Sequence, residues 1–444
     1  MNRRGMRNGG VVAALATGAL ITGSVPALAL DLSSEQTWGG PSIAGPVEQA
    51  EGVAVASDGS VYLVGQTSSF GTGVADGNSD IFLLKYAPDG TLAWQRTYGV
   101  DQTVGTGNEF GMDVDVAPDG TVWITGELAA SVLLAQFDPS GNLLSERTFA
   151  GVDSPRAIDI ANDGSIYVTG FEFPGAGQGD AFVMKAAPDG TLVWLKTWGA
   201  ADGFDAGIDV AAASDGSVYV AGDTNGFGAN GAFLVKFDAD GNVTWERTYD
   251  VGTQNFASGQ GVAIGPDGSV YLTGSATVFG VGMNALLVKF APDGSLIWER
   301  TWQQKDASEA SGIAVAANGD VYITGRAVVF RTDDTDAFVA QFEPDGRVHR
   351  AATWGGVDLQ IGQAVALAPD GSVRVAGGTS GPPPYSFDNA SKREGTPVSV
   401  IGTPTGVITT PDGTATDPNG IVLTPNGSQT YAGGSDAVLL TIVP

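Results

Sequence analysis

Carboxylates are the only abundant chemistry in this chain. Its 444 residues hold 49 Asp and Glu against 21 Lys and Arg, one His and no Cys. Thiol nucleophiles, thiolate metal sites and disulfides are thereby excluded, and so is a zinc centre built on two or three imidazoles. The sole imidazole, His349, lies in Arg347-Val-His349-Arg350, just after a Pro-Asp-Gly step. A serine triad there would need a partner serine and a pocket that nothing nearby signals, so His349 reads as structural or solvent-facing. What survives is carboxylate work. That means a glycosidase-type acid pair, or a quinone cofactor with Ca²⁺, the hard cation such oxygens would suit.

Two groups of acids have the placement for this. Asp76-Gly-Asn78-Ser-Asp80 and Asp333-Asp334-Thr335-Asp336 cluster oxygens in loops, making Asp76, Asp80, Asp333, Asp334 and Asp336 the candidate cation ligands. Asp238-Ala-Asp240-Gly-Asn242 offers similar oxygens, but its glycine falls at the wrong place for an EF-hand loop. Asp80, Asp180, Asp336 and Asp436 also recur at one point of a repeated unit, which suits an acceptor capping a loop. The second group is Asp113, Asp115, Asp159 and Asp209, which stand where sister segments place Gly or Ala. An inward carboxylate is costly unless paired, hydrated or metal-bound. These four are candidates for a channel mouth, with backbone N–H bonds as the alternative use of their oxygens.

The elements that must position these groups repeat. DGSVYLVG, Asp58 to Gly65, is the first of seven phrases with an Asp-Gly or Asn-Gly step, an apolar run and a closing Gly; later copies end at Gly126, Gly170, Gly222, Gly274, Gly325 and Gly377. The step favours a tight hairpin turn and the Val-Tyr run favours strand. A second hairpin follows, as in DIFLLKYAPDGTLAWQRTYG from Asp80 to Gly99. Two hairpins make four antiparallel strands, a to d. Strand a holds the GVAVA-type segment, and strand d ends in Thr plus an aromatic. Units of this length predict an all-β fold, a propeller of four-stranded blades.

The ends predict the blade count. The seventh unit has strands a and b, then strand c at Asp436 to Pro444, and no strand d; Thr37-Trp38 near the start is a Thr-aromatic strand d with no strand c before it. Pairing of the N-terminal strand with the last blade would close a ring of seven and remove its exposed edges. The GxAVxxxGxVYVTG and DAFVxKxxxDG segments resemble the SBBP β-propeller repeats of secreted bacterial proteins. The resemblance spans nearly all the chain after the leader except residues 378–435, and implies a propeller but no activity. The Trp of TLxWxRT departs from the commoner form of that repeat and is similar to the ending of quinoprotein-type propeller repeats.

Residues 1–29 read as a secretory signal: Arg3, Arg4 and Arg7, an apolar Val11 to Ile21, and Ala27-Leu28-Ala29. Residues 30–444 then form one propeller, secreted or held in the cell envelope, with no span left after cleavage and a monomer expected. The net charge of −28 disfavours nucleic acid, which needs clustered cations. Residues 378–435, rich in Pro, Gly and Thr, read as an insertion in the last blade; Val398-Ser-Val-Ile401 and Gly420-Ile-Val-Leu423 could pair as a small hairpin over the functional face.

That face is expected where loops vary, at the b–c and d–a connections, because the a–b and c–d turns are short and uniform. The strand c lysines and strand d arginines recur with the repeat and read as blade structure, with the Trp as interblade packing. Arg156, Arg326 and Arg331, with Lys305, Lys392 and Arg393, break the period and are expected in loops of that face. No polar set stands out as catalytic. The function expected is a non-catalytic exported propeller presenting loops to a surface glycan, polymer or protein. The alternatives are a carboxylate-dependent hydrolase or lyase at the channel mouth and a purely structural envelope module.

Overall fold

The computed structural model describes residues 30–39, 48–70, 79–99, 109–173, 179–200, 203–226, 230–250, 256–278, 282–330, 334–356, 358–380, 384–389, 394–395, 400–402, 407–409, 414–416, 421–423 and 435–444. The leader, Asp76, Arg331, Asp333, Lys392 and Arg393 lie outside the described residues. Among those described, every regular element is a strand and no helix is long and apolar enough to cross a membrane.

Seven antiparallel sheets form a ring, each with the order a-b-c-d. Blade 1 runs Glu48–Val55, Val61–Thr67, Asp80–Tyr86 and Leu92–Gly99. Blade 7 takes strand d from the N-terminal segment Asp31–Trp38, which pairs antiparallel with the C-terminal Asp436–Val443, Trp38 opposite Ala437. The ring is therefore sealed by the two ends of the chain, as the split repeat predicts.

The a–b turn refines the hairpin expectation. Ala56 N donates to Ser60 O and Gly59 N to Ala56 O, so Ser57-Asp58-Gly59 is a three-residue loop. Only Gly59 is left-handed, at φ 84°, while Asp58 accepts the Ser60 amide on Oδ1. The true two-residue hairpin is the b–c link of blade 2, where Ala129 and Ala130 sit at φ 50° and 56°.

Strands b and c are buried along almost their whole length, because each sheet is covered on both faces by its neighbours. The core is accordingly distributed among seven apolar clusters, one in each seam between adjacent blades. Strand d adds polar staples across these seams. Trp94, Trp194, Trp245 and Trp298 each donate Nε1–H to a carbonyl in the c–d turn of the next blade, at 3.0 to 3.3 Å. Arg96, Arg247 and Arg300 stack beside three of these rings and donate to the same turns.

The insertion does not form the expected hairpin. Val400–Gly402 pairs with Thr248 to Asp250 in blade 4, and Ile421–Leu423 with Thr97 to Gly99 in blade 1. Ser386–Asn389, Glu394–Gly395, Val407–Thr409 and Thr414–Thr416 likewise lie against strand d of blades 6, 5, 3 and 2. The segment thus adds a fifth, outermost strand to six blades in turn. The reason is local: strand d leaves an open edge of N–H and C=O groups, which a short extended run satisfies better than a detached hairpin.

Candidate functional site

The inner strands line a central channel of about 540 Å³. All seven carry a register shift at the same place, between residues 50 and 52 in blade 1, 111 and 113 in blade 2, and 155 and 157 in blade 3, with the equivalents in blades 4 to 7. A bulge re-aims the extra residue. The seven bulged residues, Glu51, Met112, Arg156, Ile208, Gln260, Ser311 and Gln363, all line the channel. They sit in the first half of strand a, toward the d–a connections, and form a mouth ring of six residue types in which only Gln260 and Gln363 coincide. Gln363 donates Nε2–H to Glu51 Oε2 at 3.0 Å, tying blade 7 to blade 1 within it.

The four channel acids stand beyond that ring on one wall. Asp113 accepts the Val114 amide on Oδ1 and the Ile158 amide of blade 3 on Oδ2. Asp115 does the same with Val116 and Ile160, and Asp209 with Val210 and Val262 of blade 5. Asp159 accepts from Ala212 of blade 4 at 2.5 Å. The inner edge of strand a has no neighbouring strand, so its amides need acceptors; these carboxylates supply them across three seams. Enclosure outweighs the N–H donors and pushes Asp113 up to about 8 and Asp209 to about 7. Asp115 is raised too, by burial and then by the facing Asp159 carboxyl.

The loop candidates are placed differently. Asp80 is buried at the head of strand c, where an added Cβ on Gly99 would lie 2.5 Å from its carboxylate. The same Asp-on-Gly contact recurs for Asp180 and Gly199, Asp336 and Gly355, and Asp436 and Gly39. Between Asp334 and Asp336 lies the ammonium of Lys305, 3.2 Å from Asp334 Oδ2 and also paired with Asp336. A side-chain cation thus supplies the charge that these acids need. Among the described residues no three acids or imidazoles gather as a metal site.

Two arginines expected in loops lie on strands. Arg326 belongs to strand b of blade 6, Val321–Val329, and its fork pairs with Glu309 directly opposite on strand a. Arg156 belongs to strand a of blade 3, Ser154–Ile160, and reaches the mouth because it is the bulged residue. Its guanidinium lies 5.1 Å over the ring of Phe171. Phe171, Phe173 and Phe204 form an aromatic group there, with centroids 5.2 to 5.5 Å apart. Phe173 is 53% exposed, and Phe256 and Phe330 on the same face are 54% and 63% exposed. His349 sits far from this mouth, at the start of strand d, with Nδ1 3.3 Å from Glu343 Oε1.

Apart from Arg156, the mouth ring escapes the sequence reading by one position. Its members immediately precede the Gly, Asp or Ala that opens each recognised strand a segment. The detectable signal is that this single column carries six residue types in seven repeats, while the residues on either side are Gly, Ala, Pro or Asp.

The beta-propeller domain of unknown function DUF5122 matches residues 56–92 and 213–243. Regulatory protein FlaEY of Caulobacter vibrioides is 28% identical over 225 residues, which is 42% of this chain and 23% of that protein. The chain thus spans less than a quarter of that relative. Among solved structures, the polysaccharide lyase Uly1 is similar with a TM-score of 0.48 and 12% identity, covering 91% of this chain and 92% of that one. Sqt1 from Chaetomium thermophilum is similar with a TM-score of 0.45 and 13% identity, covering 79% and 83%. By its seven closed four-stranded blades and its family match, the chain is a β-propeller repeat protein.

Proposed function

We propose that this protein is an exported, monomeric, non-catalytic propeller of the SBBP type that presents its b–c and d–a face to a surface glycan, polymer or protein. One observation carries the reading. The residues that break the repeat, the seven-membered mouth ring and the exposed Phe173, Phe256 and Phe330, lie on one face. Variable groups on a rigid scaffold are how such folds bind, and exposed aromatics beside a channel suit extended ligands.

The test is a thermal-shift and calorimetric screen of the chain from residue 30 against a glycan panel, with Arg156→Ala and Phe173→Ala at the mouth and His349→Ala on the far side. The expected result is a ligand whose binding falls with the first two and is untouched by the third. Loss with His349→Ala alone would place binding on the other face and overturn the reading.

A second reading rests on the facing Asp115 and Asp159 carboxyls in the channel, an acid pair of the kind hydrolases use. Engagement of Asp115 on two backbone amides weighs against it. Turnover of a glycan that vanishes in Asp115→Asn and Asp159→Asn would favour it.

A further inference from the structure

The outermost strands on blades 6 to 1 keep a strict register. The strand d aromatics Trp354, Trp302, Tyr249, Trp198, Phe149 and Tyr98 stand opposite Phe387, Glu394, Ile401, Ile408, Ala415 and Val422. Those six partners are spaced seven residues apart without exception. The sequence carries the same period: VIGTPTG, VITTPDG, TATDPNG and IVLTPNG run from Val400 to Gly427, and Pro397, Pro404, Pro411, Pro418 and Pro425 keep the phase. A short extended run followed by Thr-Pro-x-Gly or Asp-Pro-x-Gly is a strand with a turn signal behind it. Seven extended residues reach at most roughly 25 Å.

The path is a loop around the molecule. The segment leaves blade 7 after Thr379, visits blades 6, 5, 4, 3, 2 and 1 in that order, and re-enters blade 7 at Asp436. Both of its ends are thus anchored in the one blade that also carries the seam between the chain's termini. Blade 2 passes from strand b to strand c through Ala129 and Ala130 alone, so a connection in blade 7 needs none of this length.

We propose that the six short strands Ser386–Asn389, Glu394–Gly395, Val400–Gly402, Val407–Thr409, Thr414–Thr416 and Ile421–Leu423 act together as a hoop, one heptad per blade, which holds the ring shut from outside and covers six outer edges that would otherwise accept strands from a second copy of this chain. The heptad period is set by blade spacing, and the position of each strand by the Thr-aromatic end of strand d. The hoop and the terminal seam are two independent closures, so losing one leaves a ring that still forms but opens faster.

The test uses the full chain with Ile401→Pro, Gly402→Pro, Ile408→Pro and Thr409→Pro. These remove amide donors of both parities in two heptads and leave the propeller sequence unaltered. Expected are faster hydrogen exchange at 197–199 and 248–250, unfolding faster on the order of tenfold, and concentration-dependent self-association by light scattering. A second variant joins Ser380 to Gly434 and should accept a synthetic peptide of residues 400–427, regaining its lost unfolding lifetime. Unchanged exchange at both strand d segments, with unchanged unfolding and a monodisperse protein, would overturn the proposal. So would a deletion variant as slow to unfold as the parent. If the deletion fails to fold, exchange in the proline variant decides.

Discussion

The Oδ2 atom of Asp113 in blade 2 accepts the amide of Ile158 in blade 3 at 3.0 Å, while its Oδ1 accepts the amide of Val114 beside it. One carboxylate thereby closes two open amides on the inner edges of adjacent blades. Asp115 and Asp209 repeat the arrangement at the second and fourth seams. The channel acids are bolts between blades before they are anything else, and any ligand in the channel meets groups whose oxygens are already engaged.

Their protonation has a measurable consequence. Asp113 and Asp209 are raised to about 8 and 7, and Glu48, Asp436 and Asp223 to about 7, 6 and 6, each chiefly by burial. The same groups titrate near 4 in an unfolded chain. Between about pH 4 and 8 the folded protein binds more protons, so stability declines as pH rises. Turn acids such as Asp58 and Asp138 act oppositely: backbone amides hold them low, and their contribution is lost only in acid. The thermal midpoint should peak at about pH 4 to 5 and fall toward pH 8, with a shallower fall in Asp209→Asn. A midpoint rising steadily from pH 5 to 8 would falsify this account.

Lys305 gives a second prediction. Its side chain is 18% exposed and that of Asp336 only 14%, so removing the ammonium strands a largely buried carboxylate. Lys305→Met should cost about 2 kcal/mol or more at neutral pH, read from urea unfolding, and Ca²⁺ should leave the parent midpoint unchanged. Recovery of the variant by millimolar Ca²⁺ would show that the acids accept a hard cation once the lysine is gone.

How far these features were legible depends on their period. The four-stranded blade repeats every fifty residues or so, and its Asp-Gly turns and Thr-aromatic ends mark both hairpins, so ring and seam could be read directly. The hoop repeats every seven residues, too short for a blade, and its prolines disguise three-residue strands as low-complexity sequence. What makes them strands is the edge of strand d, which lies hundreds of residues away for Ile421 and Tyr98. The sequence places Arg156 and Arg326 in loops for a related reason: a bulge and a cross-strand Glu309 are tertiary facts that alternation alone does not signal. Asp113 and its sisters were visible as anomalies, but their acceptor role needs the neighbouring blade.

The b–c link of blade 2 should be improvable. Ala129 and Ala130 both occupy left-handed backbone, at φ 50° and 56°, where a side chain costs about 1 kcal/mol per residue. Asn at the first position and Gly at the second are the residues such a turn prefers. Ala129→Asn with Ala130→Gly should therefore raise stability by about 1 kcal/mol, measured by denaturant midpoint with an unchanged m-value. A loss of stability would mean that the alanine methyls pack usefully.

Backbone strain and side-chain contact separate at two turn glycines, Gly294 in the c–d turn of blade 5 and Gly371 in the a–b turn of blade 7. Gly294 has φ 77°, and a Cβ built on it would fall 2.8 Å from Cδ2 of Trp245, whose Nε1 donates to Pro292 O in the same turn. Gly371 has φ 83° with nothing within 4 Å of its built Cβ. Alanine at Gly371 therefore meets backbone strain alone and should cost about 1 kcal/mol. Alanine at Gly294 meets the same strain and also forces the turn off the indole, breaking the Trp245 hydrogen bond, so it should cost about 1 to 2 kcal/mol more. In a Trp245→Ala background that excess has no ring to act against, and Gly294→Ala should fall toward the Gly371→Ala value, leaving only the contact with the movable Arg247 Nη2 at 3.0 Å. Equal costs for Gly294→Ala with and without Trp245 would mean that the turn does not rest on the indole. The staple between blades 4 and 5 would then have to come from Arg247 and its bond to Gly294 O.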